Sequence, residues 1–236
     1  MIISRRTVLA GVALSAIGPR PLSPVEARTS VGDVRLEGLL PASARSPGDA
    51  AVLIDEAARA RINRALAAGH DVVPSGRRDR WGRVVGDVVT AEGGLSALLV
   101  EEGLALADPG AATPDTANRL ISAEMIARRN RAGLWADARF GDVPSDDAWP
   151  AIGCFASVVG APTAAAEVRG RMFLNFGDDY RRDFTATVEP ADRRAAKLSA
   201  EQAQGMVGAI VRIRGWVELW NGPLVRIRRA GQVRPV

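Results

Sequence analysis

Val34-Arg35-Leu36-Glu37-Gly38-Leu39-Leu40 alternates apolar and polar side chains and stops at Pro41, as a half-buried strand does. Working outward, residues 48–68 read as an amphipathic helix with Val52, Leu53, Ala57, Ile62 and Leu66 as apolar positions and Gly69 at the C-terminal stop. Val72-Val73 begins a strand that leads through Pro74 and Gly76 to Asp79-Arg80-Trp81-Gly82-Arg83. A second strand, Val84 to Val89, ends in a Gly93-Gly94 turn, and Leu95 to Glu102 suits a short helix stopped by Gly103. The last helix of this half runs from about Asp115 to Arg131, before Gly133-Leu134-Trp135. Short strands interleaved with three helices predict an α+β, mostly β, fold.

The other half is richer in strands. Candidates are Gly153 to Val159, Arg171 to Gly177, Asp183 to Val188, Gly208 to Glu218 and Leu224 to Arg228, with a helix near Ser199 to Gly205. Asn221-Gly222-Pro223 between two alternating runs is a hairpin signal. Three strands, a helix and two strands is the order of a small oligonucleotide-binding (OB-like) β-barrel. Arg212, Arg214, Arg226 and Arg228 alternate with apolar residues, so pairing of their strands puts four guanidiniums on one face beside Trp216. Such a face can track a phosphate backbone while an aromatic stacks on bases. The competing reading, slightly favoured, is a solvated sheet face whose Arg stems cover apolar surface.

The chain has 236 residues, 47% of them hydrophobic, enough for one or two packed domains. One cysteine, Cys154, excludes an intrachain disulfide, and one histidine, His70, makes a histidine-based catalytic triad or zinc site improbable. The formal charge of +4 is uneven. Ser4-Arg5-Arg6-Thr7-Val8-Leu9, an apolar run to Gly18 and a small-residue exit at Val25-Glu26-Ala27 have the three parts of a bacterial signal peptide. The paired arginines favour a twin-arginine leader over an ordinary secretory one. The expected organisation is a leader over 1–27, a first domain over 28–141, a linker over 142–152 and a second domain over 153–236. The location is then periplasmic or secreted, with no integral membrane segment after leader removal. Residues 28–150 carry 15 Arg against 18 acids, and residues 151–236 carry 13 basic against 8 acidic groups. A polyanion such as nucleic acid would therefore meet the second half first.

Val34-Arg35-Leu36-x-Gly38, Asp79-Arg80-Trp81-Gly82-Arg83, Gly103-Leu104-Ala105, Ala123-Glu124-x-x-Ala127-Arg128 and Gly133-Leu134-Trp135 stand in an order and spacing that resembles the staphylococcal-nuclease (thermonuclease) family. The resemblance covers about a hundred residues. It implies an OB-type β-barrel with three helices and a calcium-dependent phosphodiesterase that cuts DNA and RNA. The second half resembles the companion segment that follows such domains in exported bacterial relatives.

Resemblance also says where the chain departs from the pattern. The family's two phosphate-binding arginines match Arg35 and Arg83. Leu40 stands where a metal aspartate is expected and Ser43 where the general base is expected. Asp-Gly-Asp-Thr, which carries the other metal aspartate, has no counterpart before Val34, and Ala107 to Ala111 replaces the flanking tyrosines. Glu37 and Asp79 remain as acids, Glu37 being read first as an ion-pair partner of Arg35 and Asp79 as a turn residue. A hard cation needs six or more oxygen ligands, several of them charged, and loss of a catalytic base costs about 10²-fold or more. The expectation is a catalytically degenerate member that binds nucleic acid or phosphate, or acts as a scaffold, with no cofactor and no metal. The alternative is an active metal-dependent endonuclease, for which calcium would be the cofactor. The sequence leaves the oligomeric state open.

Overall fold

The computed structural model describes residues 23–236. Its first element, β1 (Glu26–Thr29), turns back into β2 (Gly32–Leu36), with Glu26 opposite Arg35 and Gly32 at a left-handed φ of 105° in the turn. A two-residue strand, β3 (Leu39–Leu40), leads to α1 (Asp49–Ala67), followed by the long antiparallel pair β4 (Asp71–Arg78) and β5 (Val84–Thr90). Then come β6 (Gly93–Gly94), α2 (Leu95–Glu101), β7 (Leu106–Ala107) and α3 (Pro114–Asn130). The sheet runs β1-β2-β5-β4, with β2 parallel to β5 and β6 attached to β5.

The three helices begin and end where their sequences allow. Thr113 caps α3 by accepting from the Thr116 amide, Pro114 fills the first turn, and Arg131 closes the helix in the left-handed region. The buried face of α1 differs from the expected one. Ala51, Asp55, Ala58, Ile62 and Ala65 face inward, while Val52 and Leu53 are exposed. Two charged anchors set this rotation. Asp55 accepts from the Ala42 amide and from Ser43, and Arg61 pairs with Glu92 and Glu102. Leu36, Ile62, Val88, Leu95, Leu99 and Leu120 fill the core that results.

The start of this fold differs from the expected boundary at residue 28. Val25 and Ala27 are fully buried in the core, and Glu26 is 4% exposed. Glu26 and Ala27 begin β1, the antiparallel partner of β2. The charged and apolar portions of the proposed leader lie outside the described residues, and among the described residues no helix is long and apolar enough to cross a membrane.

The second half contains β8 (Val143–Pro144), β9 (Phe155–Gly160), β10 (Ala164–Val168), β11 (Arg171–Asn175) and β12 (Thr185–Val188). It continues with α4 (Arg193–Ala196), α5 (Ala200–Gly205), β13 (Val211–Trp220), β14 (Gly222–Arg226) and β15 (Val233–Pro235). A reciprocal Ser199–Gln202 cap starts α5. Strand order is β10-β11-β12-β14-β13-β9-β8, with β12 parallel to β14. Residues 161–163 join β9 to β10, which lie towards opposite ends of that strand order. Neither sheet is closed by hydrogen bonds among the described residues, so the two expected barrels are open, curved sheets.

Residues 142–152, read as a linker, are built into the second unit: Val143 pairs with Val158, and Val143, Ala148 and Ala151 are buried with Met172, Leu174 and Ile213. Turn residues dominate this stretch because it makes two short 3-10 turns on its way into the sheet. A third cluster (Ala42, Ala51, Leu106, Leu134, Phe140) takes in Phe155 from β9, so apolar packing crosses from one half to the other.

Candidate functional site

Arg35 and Arg83 come together through the sheet. Arg35 stands in the middle of β2 between Glu26 on one side and Val85 on the other, and Arg83 immediately precedes β5. Asp79 fixes the turn ahead of Arg83: its Oδ1 accepts from the Trp81 and Arg83 amides at 2.9 and 3.0 Å, and Gly82 takes φ 78°. The Arg83 guanidinium then donates to Asp79 Oδ2 from Nε at 2.6 Å and to Glu26 Oε1 from Nη1 at 2.5 Å. Arg80 and Arg83 both lie over the Trp81 ring, at 3.9 and 4.8 Å from its centre.

The electrostatics are those of a closed account. Arg35 donates from Nη2 to the Leu39 carbonyl at 2.9 Å. Burial pulls its pKa down, Glu26 pulls it up, and Arg83 pulls it down again. Asp79 feels the same contest: burial raises it, and the hydrogen bonds from Arg83 and Trp81 hold it below its ordinary value. Asp108 is pushed up by burial, against the Gly110 amide and the charge of Arg35. Two cations thus share their surroundings with three carboxylates, and both oxygens of Asp79 and both of Glu26 are already bonded.

The positions read as degenerate have structural work. Leu40 pairs with Leu106 and packs into the cluster that spans the halves. Ser43 donates to Asp55 at 2.7 Å. Glu37 departs from both of its expected roles. It lies past the end of β2, is 5% exposed, and accepts from the Thr113 amide and the Thr116 hydroxyl at 3.1 Å each. It therefore anchors the N-terminus of α3, and its cationic neighbour is Arg77 at 3.6 Å, not Arg35. Gly38 at φ 69° makes the bend that turns Glu37 away.

Calcium does not fit this donor set. The carboxylates nearest the two arginines, Glu26 and Asp79, are neutralised by Arg83, and the burial that raises Asp108 favours its neutral form. Among the described residues no group of three or more His, Cys, Asp or Glu side chains could hold a metal ion.

Arg212, Arg214, Trp216 and Arg226 share one face of the β13–β14 pair, Arg228 lies two residues past the end of β14, and only Arg214 of these is buried. Arg214 is 4% exposed and donates to Glu124 of α3 at 2.7 Å. Glu124 also accepts from Arg128, Arg128 donates to Asp142 at 2.9 Å, and Asp142 accepts from Arg212 at 2.7 Å. This alternating chain, Arg214–Glu124–Arg128–Asp142–Arg212, fastens β13 to α3. Arg226 is held by Glu218 and Glu189, both at 2.9 Å. Arg228 is exposed, and Trp216 is 45% exposed with its ring edge-on to Phe155. Trp216, Arg226 and Arg228 line a crevice of about 240 Å³ against Asp108, Gly110 and Ala111 of the first half.

Residues 40–137 match the sequence model of the family described as staphylococcal nuclease homologue. Over that stretch, less than half of the chain, the protein is similar to the staphylococcal-nuclease family. Asp79 and Arg83 fall inside the match; Glu26 and Arg35 precede it. No curated protein matches the chain.

Three residues of the site escaped the sequence reading. Glu26 had been assigned to the leader. Its signal was the alternation Val25-Glu26-Ala27-Arg28 ahead of Gly32, which completes a hairpin with Val34 and Leu36. Asp55, on the inner face of α1, showed only as an acid at a helical core position. Asp108 carried no local signal.

Proposed function

We propose that this nuclease-like protein does not hydrolyse phosphodiesters and serves as a scaffold outside the cytoplasm. The observation that carries the proposal is the seating of Arg83 between Glu26 and Asp79. A phosphate-cleaving site holds its guanidiniums ready for the charge that develops on phosphorus and keeps a carboxylate available for water. Here the cation and the carboxylates satisfy each other, and the position of the base is a hydroxyl bonded to Asp55. A phosphate would have to displace a buried ion pair to reach Arg83. The ion pairs of Arg212, Arg214 and Arg226 argue the same way for the second half, which favours scaffolding over nucleic-acid binding.

Export follows from the leader-like residues ahead of the fold, with one refinement: processing must leave Val25 and Glu26 in place, because the hairpin uses both. The binding side is tested by fluorescence anisotropy with labelled single-stranded DNA at 20 and 150 mM salt. The expected result is no saturable binding at micromolar protein. Binding that weakens with salt as a multi-phosphate contact does would overturn the scaffold reading.

A further inference from the structure

Arg214 is held by one carboxylate yet surrounded by cations. It is 95% buried by side chain, and burial lowers its pKa against the pull of Glu124, while Arg128 and Arg212 push in the same direction as burial. Only its Nη2 is bonded to Glu124; its Nε and Nη1 are buried with no hydrogen-bond partner among the described residues. Among the other buried N–H groups in that condition are Arg45 Nε and Trp135 Nε1. All three side chains line one small cavity of about 10 Å³ at the seam between the halves, together with Glu124, Arg128 and Ser157.

The elements that build the cavity come from both halves. Arg45 ends the 3-10 turn after β3, Trp135 sits in the turn after α3, and Arg128 lies over the Trp135 ring at 3.9 Å. Arg214 and Ser157 are register partners on β13 and β9. Ser157 Oγ, also buried without a hydrogen-bond partner among the described residues, adds a hydroxyl donor to the same lining. A space of this size admits one water-sized particle.

We propose that the cavity binds a monoatomic anion, a halide, which ties the nuclease-like half to the second sheet. Two features select an anion over water. Four partnerless N–H groups belong to residues that line one small space, and a water oxygen has lone pairs for two, whereas a spherical anion can accept from more. The lining also carries three guanidiniums, Arg45, Arg128 and Arg214, against the one carboxylate of Glu124. An uncompensated buried cation is costly, and a bound anion offsets it. Polyatomic anions such as phosphate or sulfate exceed the volume.

The test uses the full mature chain and two probes, bromide and chloride. Crystals grown or soaked in sodium bromide should give an anomalous peak between Arg45, Trp135 and Arg214. The melting temperature should rise saturably when sodium gluconate is exchanged for sodium chloride at constant ionic strength, by about 4 °C at ten times Kd. Arg45→Gln, at a partly exposed turn and so the mildest of the changes, should remain folded by circular dichroism and lose that shift. An ordered oxygen without bromine signal at the site, an identical melting temperature in the two salts, or a full shift retained by Arg45→Gln would each overturn the proposal.

Discussion

Removing Glu124 alone should destabilise the protein far more than removing Glu124 together with Arg214. The Glu124 and Arg214 side chains are 3% and 5% exposed, and Glu124 Oε1 accepts from both Arg214 and Arg128 at 2.7 Å. Glu124→Leu leaves Arg128 its bond to Asp142 but strips Arg214 of its carboxylate in a nearly dry seam. Breaking a buried pair from one side costs on the order of 3–5 kcal/mol, whereas replacing both partners by apolar groups of similar volume is often neutral. For a chain of this size that corresponds to a drop in melting temperature of roughly 6–20 °C for the single change. The double change Glu124→Leu with Arg214→Met should recover most of it. Thermal unfolding of the wild type, both single variants and the double variant closes the cycle and gives the coupling energy. A loss below about 2 °C for Glu124→Leu, or a double variant no better than the worse single one, would refute the idea that this pair carries the seam.

The remaining predictions concern acid, a glycine contact and the amino terminus. Asp142 sits below its ordinary value of 3.8, since Arg212 and Arg128 outweigh its burial, and Asp79 is lowered likewise. A lowered folded pKa stabilises above about pH 3.8 and is lost as pH falls through the folded value, so urea unfolding should show stability declining below pH 3.8. Asp142→Asn should lower stability at pH 6 and flatten that decline; Asp108, whose pKa is raised, works in the opposite direction above pH 3.8, adding stability as pH falls through its folded value. Gly103 at φ 68° would drive a Cβ into the Ala132 carbonyl, so Gly103→Ala should cost at least ~2 kcal/mol by chemical denaturation. Mass spectrometry of the exported protein should find an amino terminus ahead of Val25, and a cut after Ala27 would contradict the role given to β1.

What the sequence disclosed and what it hid divide along a physical line. Periodic, local features were legible: α2 and α3 fall where Leu95–Glu102 and Asp115–Arg131 were expected, and the hairpin at Asn221-Gly222 joins β13 to β14. Arg212, Arg214 and Arg226 share a face, because alternation fixes sides, while Arg228 falls past the end of β14. Their purpose was hidden, because Glu124 is 90 residues from Arg214 and Asp142 is 70 from Arg212 in the chain. The same holds for Glu26, 57 residues from Arg83 and masked further by its nearness to leader-like residues. Glu37 misled because the i, i+2 rule ends with the strand at Leu36. Apolar Val52 and Leu53 misled because buried Asp55 and Arg61 set the rotation of α1 more strongly than the apolar pattern.

Whether the mature protein cleaves single-stranded DNA in the presence of calcium tests the central claim most directly. With Arg83 committed to Glu26 and Asp79, and Leu40 and Ser43 in place of carboxylates, no cleavage above the metal-free control is predicted at any calcium concentration. Calcium-stimulated, chelator-sensitive cleavage that disappears in Arg35→Ala would contradict it.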